Sequence, residues 1–136
     1  MATGTVVITE NKSFNNPERP VKFVRFDWTS ASNVASDVTT SKISGDICKV
    51  QFIPGTSSNQ PTDLYDVTVT DENGFDVLSG QGANLSNSAN SEVIPGVPLK
   101  DGTTTSVGLR SIDDKLTLNV TNAGNAKTGS VVIFYR

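Results

Sequence analysis

The sequence predicts an all-β protein, an antiparallel β-sandwich or jelly-roll-like barrel of about eight short strands. Three observations predict it. Apolar and polar residues alternate with period two over residues 115–136, as they do in strands with distinct faces. Gly, Pro and Asn turn signals recur between short apolar runs along the whole chain. No window of useful length carries the 3.6-residue period of an amphipathic helix.

The elements follow in order. Residues 3–9 carry the β-branched run Val6, Val7, Ile8 and predict a first strand. Residues 11–19 are polar and contain Pro17, so they predict an exposed loop or arm. The expected organisation is therefore an N-terminal strand and polar arm over 1–19, then a β-sandwich domain over 20–136. Within 20–29, Val24, Phe26 and Trp28 alternate with Arg25 and Asp27. Over 43–53 a strict alternation puts Cys48, Val50 and Phe52 on one face and Ile47, Lys49, Gln51 and Ile53 on the other, and Pro54-Gly55 ends the strand.

Residues 64–70 turn Tyr65, Val67 and Val69 inward. The following Asp71-Glu72-Asn73-Gly74 predicts a tight hairpin turn into a strand over 75–78, with Asn-Gly supplying the positive φ. Residues 80–91 are rich in Gly, Asn and Ser and predict a long surface loop with Leu85 its one large apolar residue. Short strands are expected over 91–94 and over 103–111, the latter with Val107 and Leu109 inward, before a turn at Asp113-Asp114-Lys115. Leu116, Leu118 and Val120 then share a face, residues 122–129 form a loop, and Val131 to Tyr135 is apolar on both faces, the pattern of a central strand.

Composition narrows the chemistry. At 136 residues the chain has the length of one domain. Apolar residues make up 35%, and even with the 11 glycines added the share stays below the usual ~45–50%. The core is lean, so burial against a partner or against its own copies would add stability. Net charge is −3 with scattered basic residues, which argues against nucleic acid as a partner. No apolar run is long enough to cross a bilayer, and the first residues lack a basic, then apolar leader, so no membrane association is expected.

The single cysteine, Cys48, allows no internal disulfide and no thiolate zinc site. Absence of histidine removes the usual base of a serine nucleophile. Asp63, Asp66, Asp71, Glu72 and Asp76 lie close in sequence, yet a glycosidase needs a larger cleft than this length provides. Asp71, Asn73 and Asp76 are oxygen donors around a glycine, which raises a calcium site. Their spacing departs from the EF-hand loop, and a hairpin turn asks for the same residues. The expectation is no catalytic residue, no metal and no cofactor. Candidate docking or self-association residues are Phe14, Asn15 and Asn16 in the arm, Asn84 and Leu85 in the 80–91 loop, and Trp28 should alternation leave it outside.

Two stretches carry a family resemblance. Tyr65-Asp66-Val67-Thr68-Val69-Thr70-Asp71-Glu72-Asn73-Gly74-Phe75-Asp76-Val77-Leu78, with Gly80 and Gly82, resembles small β-rich virion proteins of tailed bacteriophages. Leu116-Thr117-Leu118-Asn119-Val120-Thr121-Asn122-Ala123-Gly124-Asn125-Ala126-Lys127-Thr128-Gly129, followed by an apolar strand, is similar to the same group. The resemblance spans residues 20–136. It implies a capsid decoration (cement) protein on the outer head surface, made in the host cytoplasm, bound to the major capsid protein and homo-oligomeric, with a trimer favoured. Two other readings stay open: a carbohydrate- or receptor-binding β-sandwich module, which needs a cluster of exposed aromatics, and a minor tail or adaptor subunit.

Overall fold

The computed structural model describes residues 3–11, 21–98 and 107–136. Phe14, Asn15 and Asn16, and with them the arm from residue 12 on, lie outside the described residues. In chain order the strands are β1 (Thr5–Asn11), β2 (Lys22–Thr29), β3 (Ala35–Val38), β4 (Ile43–Pro54), β5 (Asp66–Thr70) and β6 (Ser91–Val93). They continue with β7 (Gly96–Pro98), β8 (Val107–Leu109), β9 (Ser111–Asp114), β10 (Thr117–Thr121) and β11 (Thr128–Tyr135). A 3-10 turn, Ser57–Asn59, follows β4.

A curled main sheet runs β1-β2-β11-β4-β6, with β9 added to the first half of β4. A smaller sheet runs β3-β10-β5, and β7 and β8 form a two-stranded ribbon. All strand pairs are antiparallel, as the sequence predicts. The fold is an all-β sandwich: Val24, Phe26, Val50, Phe52, Val131 and Ile133 of the main sheet pack with Val67, Val69, Leu118 and Val120 of the small one in one buried cluster.

The strongest alternation signals land where expected. In β2, Val24, Phe26 and Trp28 are fully buried. In β11, which lies between β2 and β4, Val131, Ile133 and Tyr135 face the core, and Val132 on the other face is only 4% exposed. β1 is an integral edge of the main sheet, in register with β2 from Thr5↔Thr29 to Asn11↔Phe23, and its Val6 and Ile8 pack against the core.

Four expectations are corrected. In β4 the partner register jumps from Phe134↔Lys49 to Tyr135↔Ile47, so Cys48 is an extra residue in a β-bulge. The bulge turns Ile47 inward onto the face of Val50 and Phe52 and leaves Cys48 half-buried. Residues 75–78 are not a strand: Thr70↔Asp76 is one isolated bridge, and the chain turns after Asp76 with Val77 and Leu78 both buried. Val107 and Leu109 are exposed rather than inward, since among the described residues β8 pairs with β7 alone and no second sheet packs on that face. β3 has no counterpart among the expected strands, and β9 extends pairing through Asp113 and Asp114, where the sequence predicts a turn.

The two sheets meet at Trp28. Its indole lies 5.6 Å from the Tyr65 ring, centroid to centroid, and directly over Gly129 of β11. A methyl group at Gly129 would sit 2.4 Å from Trp28 Cζ2, so only glycine lets the ring lie flat against the strand. Gly129→Ala is therefore expected to cost about 1–3 kcal/mol through overpacking, read as a lower denaturant midpoint with altered tryptophan emission.

Burial pushes the Tyr65 phenol up to about 12. Tyr135 moves in the same direction, through burial first and the neighbouring Glu10 carboxylate second. The unfolded chain releases tyrosine protons above pH ~10 while native Tyr65 keeps its proton to about 12. Stability is thus intact below pH ~10 and falls between ~10 and ~12, by on the order of 2–3 kcal/mol for Tyr65. Alkaline denaturation of Tyr65→Phe should show a correspondingly shallower fall.

Candidate functional site

The polar residues of the two family-like stretches work mainly on the backbone. The β10–β11 loop is locked to the β2–β3 connection: Ser30 Oγ donates to Gly124 O at 2.6 Å and accepts from Lys127 N at 3.0 Å. Asn33 Oδ1 accepts from Gly124 N, and Asn125 Oδ1 accepts from Ser32 N, both at 3.0 Å. Lys127 Nζ donates to Ser58 O at 2.9 Å, and Asn122 Nδ2 donates to Asp66 Oδ2 at 2.7 Å. The loop expected over 122–129 is thus a bonded joint, and the strand begins within it at Thr128.

The acidic group is divided in the same way. Asp71 Oδ1 accepts from Asn73 N and Phe75 N, each at 3.0 Å. Asp76 accepts from Val69 N and Leu78 N through Oδ1 and from Gly80 N through Oδ2, at 3.0–3.1 Å. These bonds bend the chain after Asp76 into turns, which is why the expected strand over 75–78 does not form. Asp63 and Asp66 accept from Asn87 N and Asn84 N and so hold the 80–91 loop down. Asp71 and Asp76 thus spend their oxygens on different backbone amides, and among the described residues no group of three or more His, Cys, Asp or Glu could hold a metal ion.

The structure separates the expected docking residues. Trp28 and Leu85 are core residues, 1% and 7% exposed. That corrects Leu85 as a surface anchor, and alternation turns Trp28 inward, so the condition for its docking role is not met: Leu85 bridges to Tyr65 and Trp28 lies against the small sheet. Asn84 alone of the described candidates is exposed, in a left-handed conformation with φ 52°. Tyr65 and Tyr135 are buried with Trp28, so among the described residues the aromatics available to a sugar platform are the exposed Phe75 and the half-buried Phe23 and Phe134.

Two surfaces that single-strand patterns did not reveal stand out. The outer face of the main sheet is dished, with a depression of about 450 Å³ over Asp27, Ser130 and Ile53 and another of about 210 Å³ over Phe23, Arg25, Gln51, Val132 and Phe134. Between them Arg25 Nε donates to Asp27 Oδ1 at 2.9 Å, and Ser130 Oγ donates to the same oxygen. Both charged side chains are 42% exposed, so the pair contributes little stability and can exchange partners. The second surface is the β7–β8 ribbon: Gly96↔Leu109 and Pro98↔Val107 are in register, with Ile94 just before β7. Ile94, Val107 and Leu109 are 75%, 62% and 72% exposed.

Comparison with protein-family models, curated proteins and solved structures finds no match to this chain.

Removing the Asp76 carboxylate leaves Val69 N, Leu78 N and Gly80 N without their acceptor. Asp76→Ala is expected to destabilise the fold by about 2–3 kcal/mol. Amide hydrogen exchange in residues 76–85 should accelerate well ahead of exchange in β11.

Proposed function

We propose that this chain is a non-enzymatic virion structural protein that decorates and stabilises the outer surface of a tailed-phage capsid. The observation that carries the reading is the exposure of large apolar side chains at the β7–β8 ribbon, Val107 and Leu109 in β8 and Ile94 ahead of β7, in a chain with a lean core. Contiguous exposed apolar surface on a small domain is characteristic of contact sites, because covering it recovers hydrophobic free energy. The reading is further supported by the two family-like stretches lying side by side: β5 and β10 pair from Asp66↔Thr121 to Thr70↔Thr117, and Asn122 is tied to Asp66. The partner is the major capsid protein, the favoured assembly is a trimer, and the location is the virion surface.

Quantitative mass spectrometry of purified particles tests this directly. A fixed, high ratio to the major capsid protein supports decoration; a handful of copies moves the chain to a tail or adaptor position, and absence from particles overturns the reading. Leu109→Asp, at a side chain 72% exposed, should change folding stability by no more than about 0.5 kcal/mol. Reduced occupancy on particles at unchanged stability is the expected result.

A further inference from the structure

Asn73-Gly74 is the single Asn-Gly pair in the chain, and it sits at an exposed turn. Gly74 has φ +86°, and apart from its two chain neighbours no residue comes within 4 Å of where its Cβ would be, so this side of the turn is open. We infer that Asn73 is a spontaneous deamidation site whose rate is governed by the Asp71 carboxylate. In the reaction solvent base removes the Gly74 amide proton, and the nitrogen attacks Asn73 Cγ. A new C–N bond closes a five-membered succinimide, the Cγ–Nδ2 bond breaks, and ammonia leaves with a proton from solvent. Water then opens the ring at either carbonyl, leaving aspartate or isoaspartate. One water enters and one ammonia departs, with no oxidant or reductant.

The attacking nitrogen is not free in the native turn. Gly74 N donates to Asp71 O at 3.1 Å, and Asp71 N donates to Phe75 O at 3.0 Å. Asp71 Oδ1 fixes the same turn through Asn73 N and Phe75 N. Ring closure must break that arrangement, so the rate follows the population of the opened turn. The product adds a carboxylate beside Asp71, Glu72 and Asp76 and takes the net charge from −3 to one unit more negative. Isoaspartate also lengthens the backbone by one methylene, so the bonds across the turn no longer match. Strain then reaches β10 through Glu72, which accepts from Lys115 N at 3.1 Å.

The test is timed incubation of the intact chain at mildly alkaline pH, read by peptide mass spectrometry for the amide-to-acid change at Asn73. Native protein should react slowly, Asp71→Ala about tenfold faster for the loss of two charge-assisted bonds, and urea-unfolded protein faster still. Equal rates for native and unfolded chain would overturn the gating, whatever the fold of the variant. A folded Asp71→Ala protein reacting at the native rate would remove Asp71 from the account, and no acid product at Asn73 in the unfolded chain would remove the site.

Discussion

The sandwich depends on one close approach, the Trp28 indole lying against the bare backbone of Gly129. Three relations are fixed there at once: the register of β11 on β2, the distance between the sheets, and the placement of Tyr65 at the start of β5. A large aromatic in a thin sandwich normally forces the layers apart; here its volume is accommodated because the strand beneath it has no side chain. Full burial of a ring this size supplies several kcal/mol, a large share of a small domain's net stability. β11 then carries the rest, since β2 and β4 both pair with it along most of its length.

The chain's wealth of Asp, Asn and Ser has a structural explanation. A thin sandwich with many connections has many backbone N–H groups that no ladder satisfies. Ser30, Asn33, Asp66, Asp71, Asp76 and Asn125 each accept from one or more of them. The family-like residues around Asp71 and Asn122 are therefore explained by folding before any partner is invoked. What folding leaves unexplained is the apolar side of the ribbon and the dished face of the main sheet.

How far the sequence could be read depended on what each pattern reports. β2, β5, β10 and β11 were legible because large apolar side chains at every second position name the buried face. β3 was not, because its one inward side chain is Ala35, too small to mark an alternation. The face of Ile47 was misread since a bulge at Cys48 shifts the period by one residue, and nothing in the local sequence announces it. Val107 and Leu109 alternate correctly and still face water, because alternation says which side chains share a face and not whether another layer covers it. The Arg25, Asp27 and Ser130 cluster needed strand order, which joins residues more than 100 positions apart.

The turns after Asp76 have a topological effect of their own. Val77 N donates to Val69 O, Val67 N to Gly82 O, and Leu85 N to Tyr65 O, so residues 76–85 occupy the hydrogen-bonding groups along the outer side of β5. That border of the small sheet is sealed against strand addition by the chain's own turns. In the main sheet, by contrast, β1 pairs with β2 alone among the described strands. Among the described residues the two borders are therefore unlike: the one beside β5 is filled by the chain's own turns, and the one beside Thr5–Asn11 carries no second strand.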